Sequence, residues 1–280
     1  MSLPLRSVLH WSLRLALLAI PLLAVWALVI EPSRLVVHRE ELRLPHWPAP
    51  LSGLRVALLS DLHVGSPHWG VERLRQLVAE TNAERPELVL LAGDFVHGVP
   101  LSTDTAPELM AEALGELRAP LGVVAVLGNH DWWFDGQRME RAFRAHGLIV
   151  LDNQLHSLVR DGGPLTIVGL ADTLTRPQRV RETIASAPTG SALLVLVHEP
   201  DVFPEIDARP SLTLAGHTHG GQVDLPILGR IWVPSRFGQR YAAGHVVEDG
   251  RHLFVTTGVG TSILPVRFGV PPELVILTLR

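Results

Sequence analysis

Five short polar motifs close apolar runs in this sequence. They are Ser60-Asp61-Leu62-His63, Gly93-Asp94, Gly128-Asn129-His130-Asp131, His198-Glu199-Pro200-Asp201 and Gly216-His217-Thr218-His219-Gly220-Gly221. Asp61, His63, Asp94, Asn129, His198, His217 and His219 offer oxygen and nitrogen donors without sulfur. Such a set suits first-row divalent cations, Mn, Fe or Zn. Two such ions about 3.5–4 Å apart clamp a phosphoryl oxygen and activate a water for in-line attack. Asp61 and His63 stand two apart, as do His217 and His219; on an extended chain the members of each pair leave the same face. A carboxylate such as Asp94 can bridge two cations where an imidazole cannot, and Asn129 offers a neutral amide oxygen. One Asp-x-His or His-x-His is commonly an accident of composition. Five such motifs, each at the end of an apolar run, are not.

The elements that must position them follow from the periodicity. Strand-like runs occupy Leu54–Leu59, Leu88–Leu91, Val123–Leu127, Leu193–Val197 and Leu212–Leu214. Amphipathic helix patterns lie between several of them, at Val71–Asn82, Pro107–Leu117, Gln137–His146 and Gln178–Ala187. Strands alternating with helices predict an α/β sheet with covered faces, whose ligands collect outside the carboxyl ends of the strands. The motifs sit at those ends, so they are expected to converge on one crevice. Glycines 93, 128, 216, 220 and 221 allow tight turns and close backbone approach there. Near the C-terminus, Val246–Glu248, His252–Thr256 and Leu274–Leu279 read as strands with few helical signals, which predicts a second sheet packed on the first.

Composition narrows the chemistry. The 280 residues are 47% hydrophobic, enough for a large core, and the formal net charge of −4 gives no reason to expect a nucleic-acid partner. There is no cysteine and no lysine among them. Disulfides, thiolate metal sites, Schiff bases and carbamylated lysine are therefore excluded, and a phosphate must be gripped by Arg, a metal or a backbone N–H.

Residues 1–33 are expected to form a membrane anchor or uncleaved signal. Leu15 to Ile30 carry no charge, close to the roughly 17 apolar residues a spanning helix accepts, and a single N-terminal span in the bilayer is the expected localisation. The alternative is a cleaved signal with Arg6 and Arg14 as its positive region, but the best small-residue site, Val25-Trp26-Ala27, lies inside the run. The basic residues on the two flanks do not fix an orientation. Residues 34–53 read as a Pro-rich linker with a strand near Leu35–Leu44, and 54–280 as the catalytic domain.

With these motifs in hand, the chain resembles the calcineurin-like metallophosphoesterase superfamily, whose signature D-x-H, GD, GNH(D/E), H and GH-x-H is matched from Asp61 to His219 with no ligand position missing. The resemblance implies an α/β four-layer αββα sandwich, here with an N-terminal membrane helix added. It implies one metal held by Asp61, His63, Asp94 and His219 and a second by Asp94, Asn129, His198 and His217, with Mn favoured. It assigns His130 to the phosphate and to protonation of the leaving oxygen, with Asp131 orienting it. The stretch Gly258-Val259-Gly260-Thr261-Ser262 to Pro271-Pro272-Glu273, with HEPD and GHTHGGQ, is similar to a bacterial branch of membrane-anchored or exported phosphodiesterases. That branch includes hydrolases of UDP-2,3-diacylglucosamine, which implies a phosphoester or nucleotide-sugar-lipid substrate. His97 stands where this branch often has Asp.

Several side chains keep two readings. Trp132, with Trp133 and Phe134, forms either a platform for a nucleotide ring or acyl chain, or core packing. Arg267 steadies a phosphate or makes a surface ion pair, and His97 is the best substrate contact among the histidines outside the motifs. Glu199 and Asp201 are expected to cap the following helix. Among other binuclear hydrolases, the amidohydrolase type often needs a carbamylated lysine, and the metallo-β-lactamase type needs His-x-His-x-Asp-His where this chain continues Gly220-Gly221. A non-catalytic, membrane-anchored metal-binding or scaffold protein on the same fold is the remaining alternative.

Overall fold

The computed structural model describes Leu17, residues 19–98 and residues 105–280. Two six-stranded mixed sheets pack face to face. The first has the order β1-β14-β2-β3-β4-β5, with β1 Val36–Leu42, β2 Leu54–Leu59, β3 Leu88–Leu91, β4 Val123–Ala125, β5 Ile149–Val150 and β14 Glu273–Leu279. The second has the order β12-β13-β9-β8-β7-β6, with β6 Gln154–Arg160, β7 Gly163–Gly169, β8 Ala192–Leu196, β9 Leu212–Ala215, β12 Gly244–Glu248 and β13 Arg251–Val255. A short ribbon, β10 Asp224–Leu225 with β11 Gly229–Arg230, stands apart from both.

The runs Leu54–Leu59, apart from Arg55, and Leu88–Leu91 are buried, as strands covered on both faces must be. Their alternate residues enter two cores. Ala57, Leu59, Val89 and Leu91 pack on the helices α1 (Val71–Ala83), α2 (Pro107–Leu114) and α3 (Asn129–Ala145), while Val56, Leu58, Leu88 and Leu90 face the other sheet. The outer face of the second sheet is covered by α4 (Val180–Ala185) and the 3-10 turn Pro200–Glu205, through Val180, Ile184, Val202 and Phe203.

Three expectations change. The motif-bearing strands do not share a sheet: β2, β3 and β4 lie in the first, β8 and β9 in the second. The last strand joins the first sheet between β1 and β2, and the second sheet recruits the hairpin β6–β7, where alternation is weak enough to pass unnoticed. Third, no helix among the described residues is long and apolar enough to cross a membrane, which overturns the single N-terminal span. Residues 1–16 and 18, on which part of that expectation fell, lie outside the described residues. From Trp26 the helix widens into a π turn and then a 3-10 turn over Glu31–Ser33, where Pro32 has no N–H to continue the ladder. The Ala27 carbonyl there accepts the Arg267 backbone N–H at 2.9 Å.

Candidate metal centre

The loops that leave β2, β3 and β4 meet those that leave β8 and β9 where the carboxyl ends of both sheets converge. Backbone bonds tie them together: Asp61 N–H donates to Gly93 O at 2.9 Å, His63 N–H to Asp94 O at 3.0 Å and Gly216 N–H to His198 O at 3.0 Å. The close approach depends on missing side chains. A Cβ on Gly128 would overlap the Asp94 carboxylate and His198, and one on Gly216 would overlap Ser60 and the Asp61 carboxylate.

Asp61, His63, Asp94, His217 and His219 all have positive φ, between 43° and 69°. The spacing argument from an extended chain is thereby corrected: β2 ends at Leu59 and β9 at Ala215, so the ligand pairs lie beyond the strands in left-handed backbone. Such residues cost of order 1–3 kcal/mol each and persist where the surroundings over-determine them. The lateral hydrogen bonds between loops supply that constraint.

Two groups of donors result. In one, His219 Nε2 lies 3.3 Å from Asp61 Oδ1 and 3.1 Å from His63 Nε2. In the other, His198 Nε2 lies 3.2 Å from both Asp94 Oδ2 and His217 Nδ1. Asp94 Oδ2 also stands 3.6 Å from His63 Nε2, so one carboxylate oxygen faces both groups. Potential donor atoms of Asp61, His63 and His219, of Asp94, His198 and His217, and of His63, Asp94 and His130 lie within 4.8 Å of one another in each triad. Asn129 Oδ1 is buried and accepts no hydrogen bond. An orphan acceptor of this kind is what a cation would satisfy.

Three of the imidazoles are in the ligating charge state. Burial holds His63 and His219 well below the usual imidazole range and His217 at about 4, so all three are neutral, the form that binds a metal. Burial pushes Asp94 up, but the surrounding imidazoles, His198 first, outweigh it and keep the carboxyl well below its ordinary value. His198 is lowered by burial yet raised more by Asp94, and its Nδ1 is fixed by Ala92 O at 2.7 Å, which leaves Nε2 toward the centre. The residues fit a binuclear site.

The neighbours differ from expectation. His130 lies beside His63, ring centroids 4.7 Å apart, but its Nδ1 is held by the His97 carbonyl at 2.7 Å and not by Asp131. Asp131 instead accepts four backbone N–H groups, from Asp94, Phe95, Val96 and Gly128, and fastens the β3 loop to the start of α3. Trp132 turns away to stack on the Arg176 guanidinium at 4.5 Å. Arg267 is fully buried, donates to the carbonyls of Gly260, Val270, Thr257 and Gly258, and reaches within 3.5 Å of His219 Nδ1. Its charge sits behind His219, not in the cleft. Glu199 accepts the Thr173 N–H; burial first and a carboxyl partner, Asp172, second raise it to about 8. Asp201 binds the Ser235 hydroxyl and the Arg236 N–H.

Above the ligands opens a cleft of about 770 Å3 whose walls include Trp133, Leu174, Val202, Trp232 and Ile263. Sequence reasoning missed this wall, except for Trp133. The available signal was the apolar cluster Ile227, Leu228, Ile231 and Trp232 inside a Pro/Gly-punctuated loop, where polar residues are the rule.

The family model for calcineurin-like phosphoesterases matches residues 54–221. The chain belongs to that family. It is 29% identical to the metallophosphoesterase YkuE of Bacillus subtilis, over 91% of this chain and 89% of that one. It is 25% identical to the UDP-2,3-diacylglucosamine pyrophosphatase LpxG of Chlamydia trachomatis, over 93% and 94% of the two chains. Among solved structures, Haemophilus influenzae NAD nucleotidase shares the fold with a TM-score of 0.50 at 16% identity, over 75% of this chain and 45% of that one. The protein is a metal-dependent phosphoric ester hydrolase.

Proposed function

We propose that the centre hydrolyses a phosphodiester or pyrophosphate bond in a substrate that carries a large apolar group, a lipid-linked nucleotide sugar such as UDP-2,3-diacylglucosamine. The observation that carries this reading is the junction of two unlike surfaces: buried metal-type donors on the floor of the cleft and an apolar wall directly above them. A small phosphomonoester has no use for such a wall. The relative named for UDP-2,3-diacylglucosamine hydrolysis, similar along nearly its whole length, supports the same substrate class.

In this reading one cation is held by Asp61, His63, Asp94 and His219 and the other by Asp94, Asn129, His198 and His217, with Mn the first ion to try. When bound, the pair supplies Lewis-acid stabilisation of phosphoryl oxygens and a water of lowered pKa. The protein's own part is positional. His130 lines the cleft, and the His97 carbonyl occupies its Nδ1, so Nε2 is the atom that protonates the leaving oxygen. Asp131 keeps the Asp94 loop in register through its four amide bonds, without touching substrate.

The test is turnover by the purified full chain with Mn2+, on bis-p-nitrophenyl phosphate and on UDP-2,3-diacylglucosamine, the latter followed as released UMP. Both substrates should be cleaved, the second with the lower KM. Cleavage of the first alone would remove the lipid-linked part of the proposal.

A further inference from the structure

A phosphate in this chain must be met by an ion, a backbone N–H or an arginine, because there is no lysine. The arginines around the centre are not equally placed for it. Arg267 is committed to backbone carbonyls behind His219. Arg176 lies on the Trp132 ring and pairs with Asp152 at 2.9 Å. Arg230 donates to Gly220 O at 2.8 Å and stands 3.7 Å from Asp224. None of these three lines the cleft. Arg236 does, and among the described residues it is the one arginine in the cleft wall.

Its seat is fixed and its tip is not. Arg236 N–H donates to Asp201 Oδ2 at 2.8 Å, and the other oxygen of that carboxylate accepts the Ser235 hydroxyl. Asp201 belongs to the 3-10 turn Pro200–Glu205, which begins two residues after His198, so the arginine is fastened to the loop that carries one donor of the centre. The guanidinium lies over the Phe237 ring, 5.0 Å from its centroid, and Phe237 packs on the buried Tyr241. A guanidinium has five N–H donors. Among the described residues only Nη2 makes a hydrogen bond, to Asp201 O at 2.8 Å. Nη2 also stands 3.7 Å from Glu205 Oε1, and Nε is 4.0 Å from Asp201 Oδ2, beyond hydrogen-bond reach. The Arg236 and Glu205 side chains are 60% and 54% exposed, and an ion pair so open to solvent is worth about 0–1 kcal/mol. A phosphate offers the same fork two parallel charge-assisted bonds. It displaces Glu205 at little cost.

An ion pair on the floor accounts for one phosphoryl group. A pyrophosphate brings a second charged group into the same cleft, and to leave it unpaired beside Trp232 and Ile263 would be unfavourable. We propose that Arg236 binds the second phosphate of a pyrophosphate substrate, the group that a simple phosphodiester lacks, and so makes the cleft selective for pyrophosphates. The inference rests on the pyrophosphate part of the reading above and is independent of its lipid part.

The test compares UMP, with one phosphate, and UDP whose bridging oxygen is replaced by methylene, with two. Their dissociation constants are measured by titration calorimetry on the full chain loaded with Mn2+, the metal in excess over nucleotide. The ratio of the two constants is internal to each protein, so a variant with less active material keeps its ratio. The wild type should bind the two-phosphate ligand about tenfold or more tighter, and Arg236→Gln should bring that ratio close to one. Arg240→Gln removes a charge near the same Phe237 ring but outside the cleft, and should keep the wild-type ratio. Should Arg236→Gln fail to bind UMP, Arg236→Lys keeps the charge without the planar fork and should lower the ratio by a smaller factor. A wild-type ratio near one removes the pyrophosphate reading and the role of Arg236 together. A large wild-type ratio that survives in the Arg236 variants, or that Arg240→Gln lowers as much, overturns Arg236 alone and leaves the pyrophosphate reading in place.

Discussion

On the floor of the cleft, Asp61, His63, Asp94 and His219 are almost wholly buried, held in left-handed backbone and tied to one another by lateral hydrogen bonds. On its rim, Trp133, Leu174, Trp232 and Ile263 are 59–62% exposed, and the backbone beside Ile263 is tied to the rest through the Gln222 side chain. The floor is over-determined, as a site must be when its donors have to meet ions within tenths of an ångström. The rim needs no such accuracy, because apolar contact is non-directional and scales with area. Chemistry and selectivity are thus built from different kinds of structure, and substitutions in each should fail in different ways.

The largest effect is expected at the floor. Asp94→Ala removes the one carboxylate that faces both donor groups, and both metals and hydrolysis should disappear together, as checked by metal analysis beside turnover. Wild-type metal content in that variant would break the shared-ligand geometry. Next comes His130→Ala, which touches the His63–Asp94–His130 group but leaves the other two donor triads whole. Bound metal should persist while the rate falls about 10²–10⁴-fold, the range for loss of a general acid. Loss of metal along with rate would turn His130 from a proton donor into a ligand.

The floor was legible in the sequence because its residues are rare types in tight local patterns. Asp61/His63, Asp94, Asn129, His198 and His217/His219 could be named from one-letter spacing, and strands β2 and β3 were read to the residue. What eluded the sequence was non-local. That β8 and β9 lie in the other sheet depends on which strands pair, and the hairpin β6–β7 has a mixed burial pattern that no simple alternation announces. The left-handed backbone at the ligand pairs was also missed, since neither Asp61 nor His63 is a glycine and only the crossing loops hold them there. Asp131 was assigned to His130 by the family resemblance, yet its carboxylate points into the backbone amides of the preceding loop. The rim was hidden for a further reason: Trp232 and Ile263 are ordinary apolar residues until the fold places them above the metal-type donors.

Smaller effects should separate rim from floor. Trp232→Ala leaves the ligands untouched, so kcat on bis-p-nitrophenyl phosphate should be unchanged while KM for UDP-2,3-diacylglucosamine rises about tenfold, corresponding to about 1.4 kcal/mol of lost apolar burial. An equal loss on both substrates would mean that the rim supports the floor mechanically.

The smallest effect concerns His97, whose carbonyl holds His130 while its ring is buried next to His63. Burial first, and His130 second, lower its pKa from 6.5 to about 4. The folded protein therefore refuses a proton that the unfolded chain accepts between those values, and the unfolded state binds more protons throughout that window. By linkage, stability falls as pH is lowered from about 6.5 toward 4 and is indifferent to this group above it. The metal-loaded wild type should lose Tm across that window more steeply than His97→Asn, whose side chain does not titrate but whose backbone carbonyl still reaches His130. Parallel Tm curves for the two proteins would show that the His97 ring is solvated well enough to titrate normally, and that only its carbonyl matters to the floor.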